Sequence, residues 1–292
     1  DTQKTPGREP EEEREPYLQD YLRVLQPVAL YLAMVYRRRE GMQTAHYSYF
    51  LSRYMLRRHL PIQSLQQVLL EYMERDNLYC RVNALQALCA FGSVEHILTA
   101  LRIQDDGGVL LHEKILTETL LCFTGEHQKL IDRLWQQLDD FSPHTQLAIL
   151  NYIRFRSGRY AGQMLALMTD EGRDKEVRLA AIRYFGRYPE PAAQAPLLAL
   201  AGDRDPARWE YATVSLSSLA RYSGAQVLDT LKQALHSANW YVRSAAAASL
   251  EAHQVTYEDL VDIVTGSDRY AREIITYRLE ARRMKRGGDG PA

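Results

Sequence analysis

Apolar residues recur along the chain at spacings of three and four, in short segments separated by glycine, proline or polar runs. That period places them on one face of an α-helix. Four such segments, ALQALCAFG, LTETLLCFTG, ILNYIRFRSG and LSSLARYSG, end at Gly92, Gly125, Gly158 and Gly224. The first three glycines lie 33 residues apart and the fourth follows at twice that interval. A glycine there suits a left-handed residue closing a helix. Pro191 stands where the missing one would fall, and it too cannot continue a helix. Two further columns keep the 33-residue step: Leu98, Ile131, Met164 and Leu197, and Leu101, Leu134, Leu167 and Leu200. The columns sit three residues apart, on one helical face. A fixed period of this length predicts stacked helical hairpins, each unable to bury its apolar face alone.

The second helix of each hairpin carries the more specific pattern. CRVNALQAL from Cys80, EVRLAAIRYFG from Glu176 and YVRSAAAASL from Tyr241 share an apolar–Arg pair, then small residues, then a large apolar one. Asp76 precedes Arg81, Asp174 precedes Arg178, Asn239 precedes Arg243 and Asp268 precedes Arg272. These segments resemble the inner helix of HEAT repeats and of HEAT-like repeats of the phycobiliprotein-lyase type. Anchored on that pair, second helices start near Ser48, Cys80, His112, Thr145, Val177, Arg208, Val242 and Ala271. The resemblance implies an all-α, right-handed α-α superhelix, a HEAT-like solenoid of about eight antiparallel hairpins, with second helices on the concave side. It covers residues 17–286 as a single domain, between a disordered charged linker over 1–16 and a disordered tail over 287–292. It also implies that Arg81, Arg178, Arg243 and Arg272 are structural, joining a hydrogen-bond ladder between adjacent turns, while the preceding acids cap the inner helices. In YVRSAAAASL the alanines let neighbouring hairpins approach closely.

Charge alters the picture at the ends. The net charge of −1 argues against a general nucleic-acid binder. Residues 17–59 carry +5, residues 269–286 carry +5, and the stretch before Tyr17 carries −3, which leaves the middle acidic. Tyr49, Arg53, Tyr54, Arg57 and Arg58 interleave along YSYFLSRYMLRRHL, and Arg37–Arg39 end the preceding helix. This basic, aromatic patch would suit an acidic protein segment or an anionic membrane surface. The acidic EEEREP run is expected to reach back to it. No apolar run spans a bilayer; Val24 to Tyr36 is too short and contains Pro27. The opening stretch looks like a linker to an upstream piece, which could hold the protein at the cytoplasmic face of a membrane.

Candidate chemistry is thin. Cys80, Cys89 and Cys122 fall in apolar helical stretches and read as buried, reduced thiols of a cytoplasmic protein. The eight histidines have no ligand spacing, so neither metal nor cofactor is expected. Gly107-Gly108 lacks the Lys of a phosphate loop, and Asp105-Asp106 and Asp139-Asp140 read as solvated helix ends. No small-molecule substrate is evident. Trp209 and Trp240 sit near the inner helices, where they would pack at a repeat seam or line a protein-binding groove. The expectation is a non-catalytic scaffold or adaptor that binds a protein or peptide. Two alternatives rest on the resemblance: a HEAT-like nucleic-acid-binding protein similar to the alkylpurine DNA glycosylases, with Asp205 before Trp209, and a lyase-type enzyme. Acids at the inner-helix starts, Glu113, Glu176 and Glu210, oppose phosphate binding.

Overall fold

The computed structural model describes residues 11–54 and 63–287 and is all-α, with no strand among them. It divides into two compact units, residues 1–156 and 157–292. The first holds α1 (Glu11–Tyr36), α2 (Gly41–Tyr54), α3 (Gln63–Met73), α4 (Leu78–Phe91), α5 (Val94–Asp106), α6 (Glu113–Leu121), α7 (His127–Gln136) and α8 (Pro143–Arg156). The second holds α9 (Ala161–Thr169), α10 (Lys175–Phe185), α11 (Pro191–Ala201), α12 (Trp209–Leu219), α13 (Ala225–Ala234), α14 (Trp240–Ala252), α15 (Val261–Val264) and α16 (Arg269–Gly287). Each unit is thus four hairpins. The even-numbered helices are the second helices, and each starts within a few residues of its anticipated position except in the first hairpin, where α2 begins at Gly41.

Within each unit the second helices pack on one another, α2 on α4 on α6 on α8, and α10 on α12 on α14 on α16. First helices form a parallel layer, α1, α3, α5 and α7 in one unit and α9, α11 and α13 in the other. Small residues make the contact. Ala84 and Ala87 of α4, Ala180 and Ala181 of α10, and Ala246 and Ala247 of α14 are all buried. Hydroxyls lock it: Ser218 donates to the Ile182 carbonyl at 3.0 Å, and Ser249 to that of Leu216 at 2.8 Å. In the first unit Thr117 donates to the Ala148 carbonyl at 3.1 Å. The Ile182 and Leu216 carbonyls lie in the last turns of α10 and α12, where helical amides run out, so the neighbouring hydroxyls satisfy carbonyl oxygens at helix ends.

Caps follow the anticipated chemistry with one displacement. Asp174 accepts from the Glu176 and Val177 amides, Asn239 from those of Tyr241 and Val242, and Asp268 from those of Tyr270 and Ala271. At α4 the cap is Asn77, which accepts from the Cys80 amide, and not Asp76. Asn and Asp cap about equally well, so the residue one position closer takes the role.

The glycine column has a different cause from the one anticipated. Among the described glycines only Gly224 has positive φ, +127°, and it precedes α13 instead of closing α12. The others answer to space. A Cβ on Gly92 would lie 2.4 Å from the Leu88 carbonyl oxygen, one on Gly125 2.4 Å from the Phe123 ring, and one on Gly158 2.8 Å from the Tyr188 ring.

Two boundaries also move. Helix α1 begins at Glu11, inside the stretch expected to be a linker, because acidic residues suit a helix N-terminus. Its 26 residues hold the EEEREP run at one end and lead into Arg37–Arg39 at the other, about 37 Å along the axis, so the run cannot fold back onto them. Helix α16 extends to Gly287, the first residue of the expected tail. Cys122 is exposed, since α6 stops at Leu121 and leaves it as the C-cap, while Cys80 and Cys89 are buried. Burial pushes the Cys80 thiol up to about 11. A thiol reagent at neutral pH should therefore label one cysteine in the native protein and three after denaturation. Ala246→Leu should overpack the α14 seam and lower stability by about 1–3 kcal/mol in denaturant melts.

Candidate interaction surface

The four repeat arginines occupy two kinds of contact. Arg178 is buried, and its Nε donates to the Met168 carbonyl at 3.2 Å across its own hairpin turn. Arg243 donates through Nη1 to the carbonyls of Ser237 at 2.6 Å and Ala238 at 3.0 Å, and Arg272 to that of Gly266 at 2.6 Å. Arg81 is the exception, reaching forward to Gln104 Oε1 at 3.4 Å and to the Val109 carbonyl. Three of the four arginines therefore close the turn of their own hairpin.

The step between hairpins is made by aromatic rings. Arg178 lies over the Tyr211 ring at 4.8 Å, and Arg243 over the Tyr270 ring at 5.1 Å, each ring belonging to the next second helix. Arg208 approaches Tyr211 as well, at 5.6 Å. Trp209 stacks on Tyr241 with centroids 5.0 Å apart, and Trp240 meets the same ring edge-on at 5.2 Å. Cation–π and ring contacts thus connect the first turns of α10, α12, α14 and α16. Guanidinium planes suit this arrangement because they stack and donate at once.

Two clefts border the row in the second unit. One, of about 590 Å³, lies at the turns before α12 and α14 and is lined by Trp209, Asp203, Asp205, His236 and Asn239 among others. The other, of about 340 Å³, lies between α14 and α16 and is lined by Trp240, Tyr270, Tyr277, Arg243, Glu273 and Arg278. Trp240, Tyr241, Tyr270 and Tyr277 are each more than half exposed, whereas Trp209 is half-buried. The acids at the first cleft have structural partners. Asp205 accepts from the Ala207 amide at 2.9 Å, and Asp203 pairs with Arg208 at 3.2 Å. Their negative charge is the wrong sign for a phosphate backbone. Among the described residues no group of three His, Cys, Asp or Glu side chains could hold a metal ion.

The basic ends are partly occupied. In α16, Arg269 pairs with Glu273 at 2.7 Å, Arg278 with Glu251 at 3.1 Å, and Arg282 donates to the Val255 carbonyl at 2.6 Å. At the first hairpin Tyr49 and Arg53 are exposed on α2; the Tyr54 side chain, Arg57 and Arg58 lie outside the described residues. Arg37, Arg38, Arg39 and Arg75 gather around a cleft of about 1140 Å³ with Glu71 and Glu74, and Arg37 pairs with Glu71 at 2.6 Å. Among the described residues no helix is long and apolar enough to cross a membrane.

Several contacts escaped the sequence reading. Asp105 is no solvated helix end: it accepts from the Ser142 amide at 2.7 Å and from the Ser142 and Thr145 hydroxyls, fastening α5 to α8. Tyr79, Tyr241 and Tyr270, each exposed, stand two residues before Arg81, Arg243 and Arg272. That offset was a legible signal for the aromatic row.

Stacked two-layer hairpins with a capped Arg-bearing second helix define a helical-repeat protein. Residues 163–251, from α9 to the end of α14, match the family model of HEAT repeats, and this part of the chain is built of them. No curated protein matched the chain.

Replacing Arg178 by Ala should leave the Met168 carbonyl unpaired and cost about 1–3 kcal/mol, whereas Trp240→Ala on the exposed rim should stay within about 0.5 kcal/mol. Paired denaturant melts compare the two. Asp268 has its carboxyl held below the ordinary 3.8, first by the His236 hydrogen bond and then by the Ala271 amide. Its contribution to stability is present above the unfolded value and is lost as pH falls through the lower folded one. Asp268→Asn should remove that part of the acid dependence in melts recorded across the acid range.

Proposed function

We propose that this chain is a non-catalytic scaffold whose second unit docks a protein segment along the aromatic first turns of its second helices. The observation that carries this reading is the run of exposed rings Trp240, Tyr241, Tyr270 and Tyr277 beside the α14–α16 cleft. Exposed aromatics held rigidly by their neighbours lose little entropy on binding, and Trp and Tyr dominate the energetics of protein interfaces. HEAT repeats commonly mediate protein interactions, which supports a protein partner in general terms. Arg243 and Arg278 beside Glu273 would let the docked segment contribute polar contacts around an apolar anchor.

A second reading attaches to the first unit. Four arginines around the Arg37–Arg39 cleft favour an acidic segment there, with Tyr49 and Arg53 on the adjoining helix as further contacts. An anionic membrane surface is the competing occupant. A protein held at the cytoplasmic face of a membrane would fit either reading.

Affinity capture from the source cell tests both surfaces, using the full chain, a Trp240→Ala/Tyr277→Ala variant and an Arg38→Glu/Arg39→Glu variant. A partner retained by the parent and lost only from the aromatic variant, with thermal melts unchanged, is the expected result. Equal recovery by all three would rule out both surfaces. Loss confined to the charge variant would move the docking site to the first unit, and binding of that variant's parent to anionic vesicles would identify a membrane there.

A further inference from the structure

Helix α1 carries an apolar face that no described residue of its own unit covers. Tyr17, Tyr21, Val24, Val28 and Tyr31 follow one another at intervals of four, three, four and three. This is the a/d spacing of a helix that pairs with another helix. Their exposures run from 49% at Val28 to 80% at Tyr17. The packed face of α1 is a different one. Ala29 and Ala33 are buried, and their carbonyls accept from the hydroxyls of Tyr47 and Tyr72, both at 2.5 Å. That face lies about 140° around the helix from the exposed one, counting 3.6 residues per turn. A soluble surface rarely leaves so long an apolar stripe uncovered.

We infer that this stripe is the interface between two copies of the chain, which pair through α1 in antiparallel, two-fold symmetric fashion. Three features converge on a second copy. The stripe is self-complementary about Val24. With Val24 against its own symmetry mate, Tyr17 meets Tyr31 of the second copy and Tyr21 meets Val28, so rings flank a narrow centre at both ends. The charges fit the same register. Residues 11–20 hold five acids against Arg14, and Arg37–Arg39 follow the other end of the helix. Antiparallel pairing about Val24 sets the acidic start of one α1 beside the arginines of the other, whereas parallel pairing would set like against like. Within one chain these two groups are held a helix length apart, so the match can be realised only between copies. The area is also sufficient. The five residues expose roughly 600 Å² per copy, taking a fully exposed Tyr at about 220 Å². The two copies together would bury about 1,200 Å², at the lower edge of specific interfaces before flanking residues such as Met34 are added. The second copy supplies an acidic segment of the kind proposed for the Arg37–Arg39 cleft; the pairing itself rests on the apolar stripe.

The test is the mass of the full chain in solution by light scattering after size exclusion, at about 100 μM and on dilution. A dimer is expected for the parent and a monomer for Val24→Glu/Val28→Glu. Both positions are exposed, so the variant should keep its circular dichroism and melt as the parent does at equal protomer concentration after correction for dimer linkage. In a Cys122→Ser background, Val24→Cys should form an intermolecular disulfide under mild oxidation and Tyr17→Cys should not, which distinguishes antiparallel from parallel pairing. A monomeric parent at the higher concentration, or a dimer untouched by the glutamates, would overturn the inference. So would a monomeric parent that sediments with phosphatidylcholine–phosphatidylserine vesicles through α1 and loses this in the variant, which would assign the stripe to a lipid surface. Rapid disulfide formation by Tyr17→Cys would refute the antiparallel register.

Discussion

Everything in this protein depends on how closely one second helix can approach the next. The contact is made of alanine and of hydroxyl side chains that bond to a neighbour's carbonyl, as Ser218 does to Ile182 and Ser249 to Leu216. Bulk at these positions would push the layers apart and forfeit dispersion along the whole helix, since contact energy falls steeply with small gaps. The alanine face therefore fixes the spacing, and the spacing decides which longer side chains meet at the helix ends. Arg178 can reach both the Met168 carbonyl and the Tyr211 ring because α10 and α12 lie so near. The row of rings in the second unit is thus a product of the seam beneath it.

The same spacing gives Arg178 and Arg243 two separate roles. The hydrogen bond of each ties it to a turn, and its planar face is left for an aromatic partner one repeat away. The same residue then closes one hairpin and positions the ring of the next. Where the neighbouring ring is buried, as at Tyr211, the step is structural. Where it is exposed, as at Tyr270, the step ends in a surface that can bind. A gradual change in exposure along one repeated feature turns architecture into a recognition site.

The repeat itself was legible in the sequence, because a 32- to 33-residue period and the apolar–Arg–small pattern are dictated by stacking. Hairpin number and the starts of most second helices followed from it. The causes of individual positions were harder to read. Glycine at 92, 125 and 158 signalled a helix ending, yet the constraint is the nearness of a carbonyl or a ring, which only the packed chain reveals. Cys122 shared a column with Cys89 but lies one residue past its helix, and periodicity does not specify where a helix stops. The last helix carries +5 in the sequence, yet its Arg269, Arg278 and Arg282 are engaged with Glu273, Glu251 and the Val255 carbonyl. Charge counted along a chain cannot distinguish a cation facing solvent from one bonded across a repeat.

The bonds that fasten hairpin to hairpin have a further consequence, in time and not in space. Thr117 to Ala148, Ser218 to Ile182 and Ser249 to Leu216 each join residues 31 to 36 positions apart. A chain whose decisive contacts all fall within about one repeat need close no large loop to begin folding. Any adjacent pair of hairpins can serve as a nucleus, and growth proceeds by adding the next pair to an existing edge. Fraying should run the same path in reverse, from the ends of each unit inward, so that the outermost helices are the first to exchange their amide hydrogens and the seam alanines among the last.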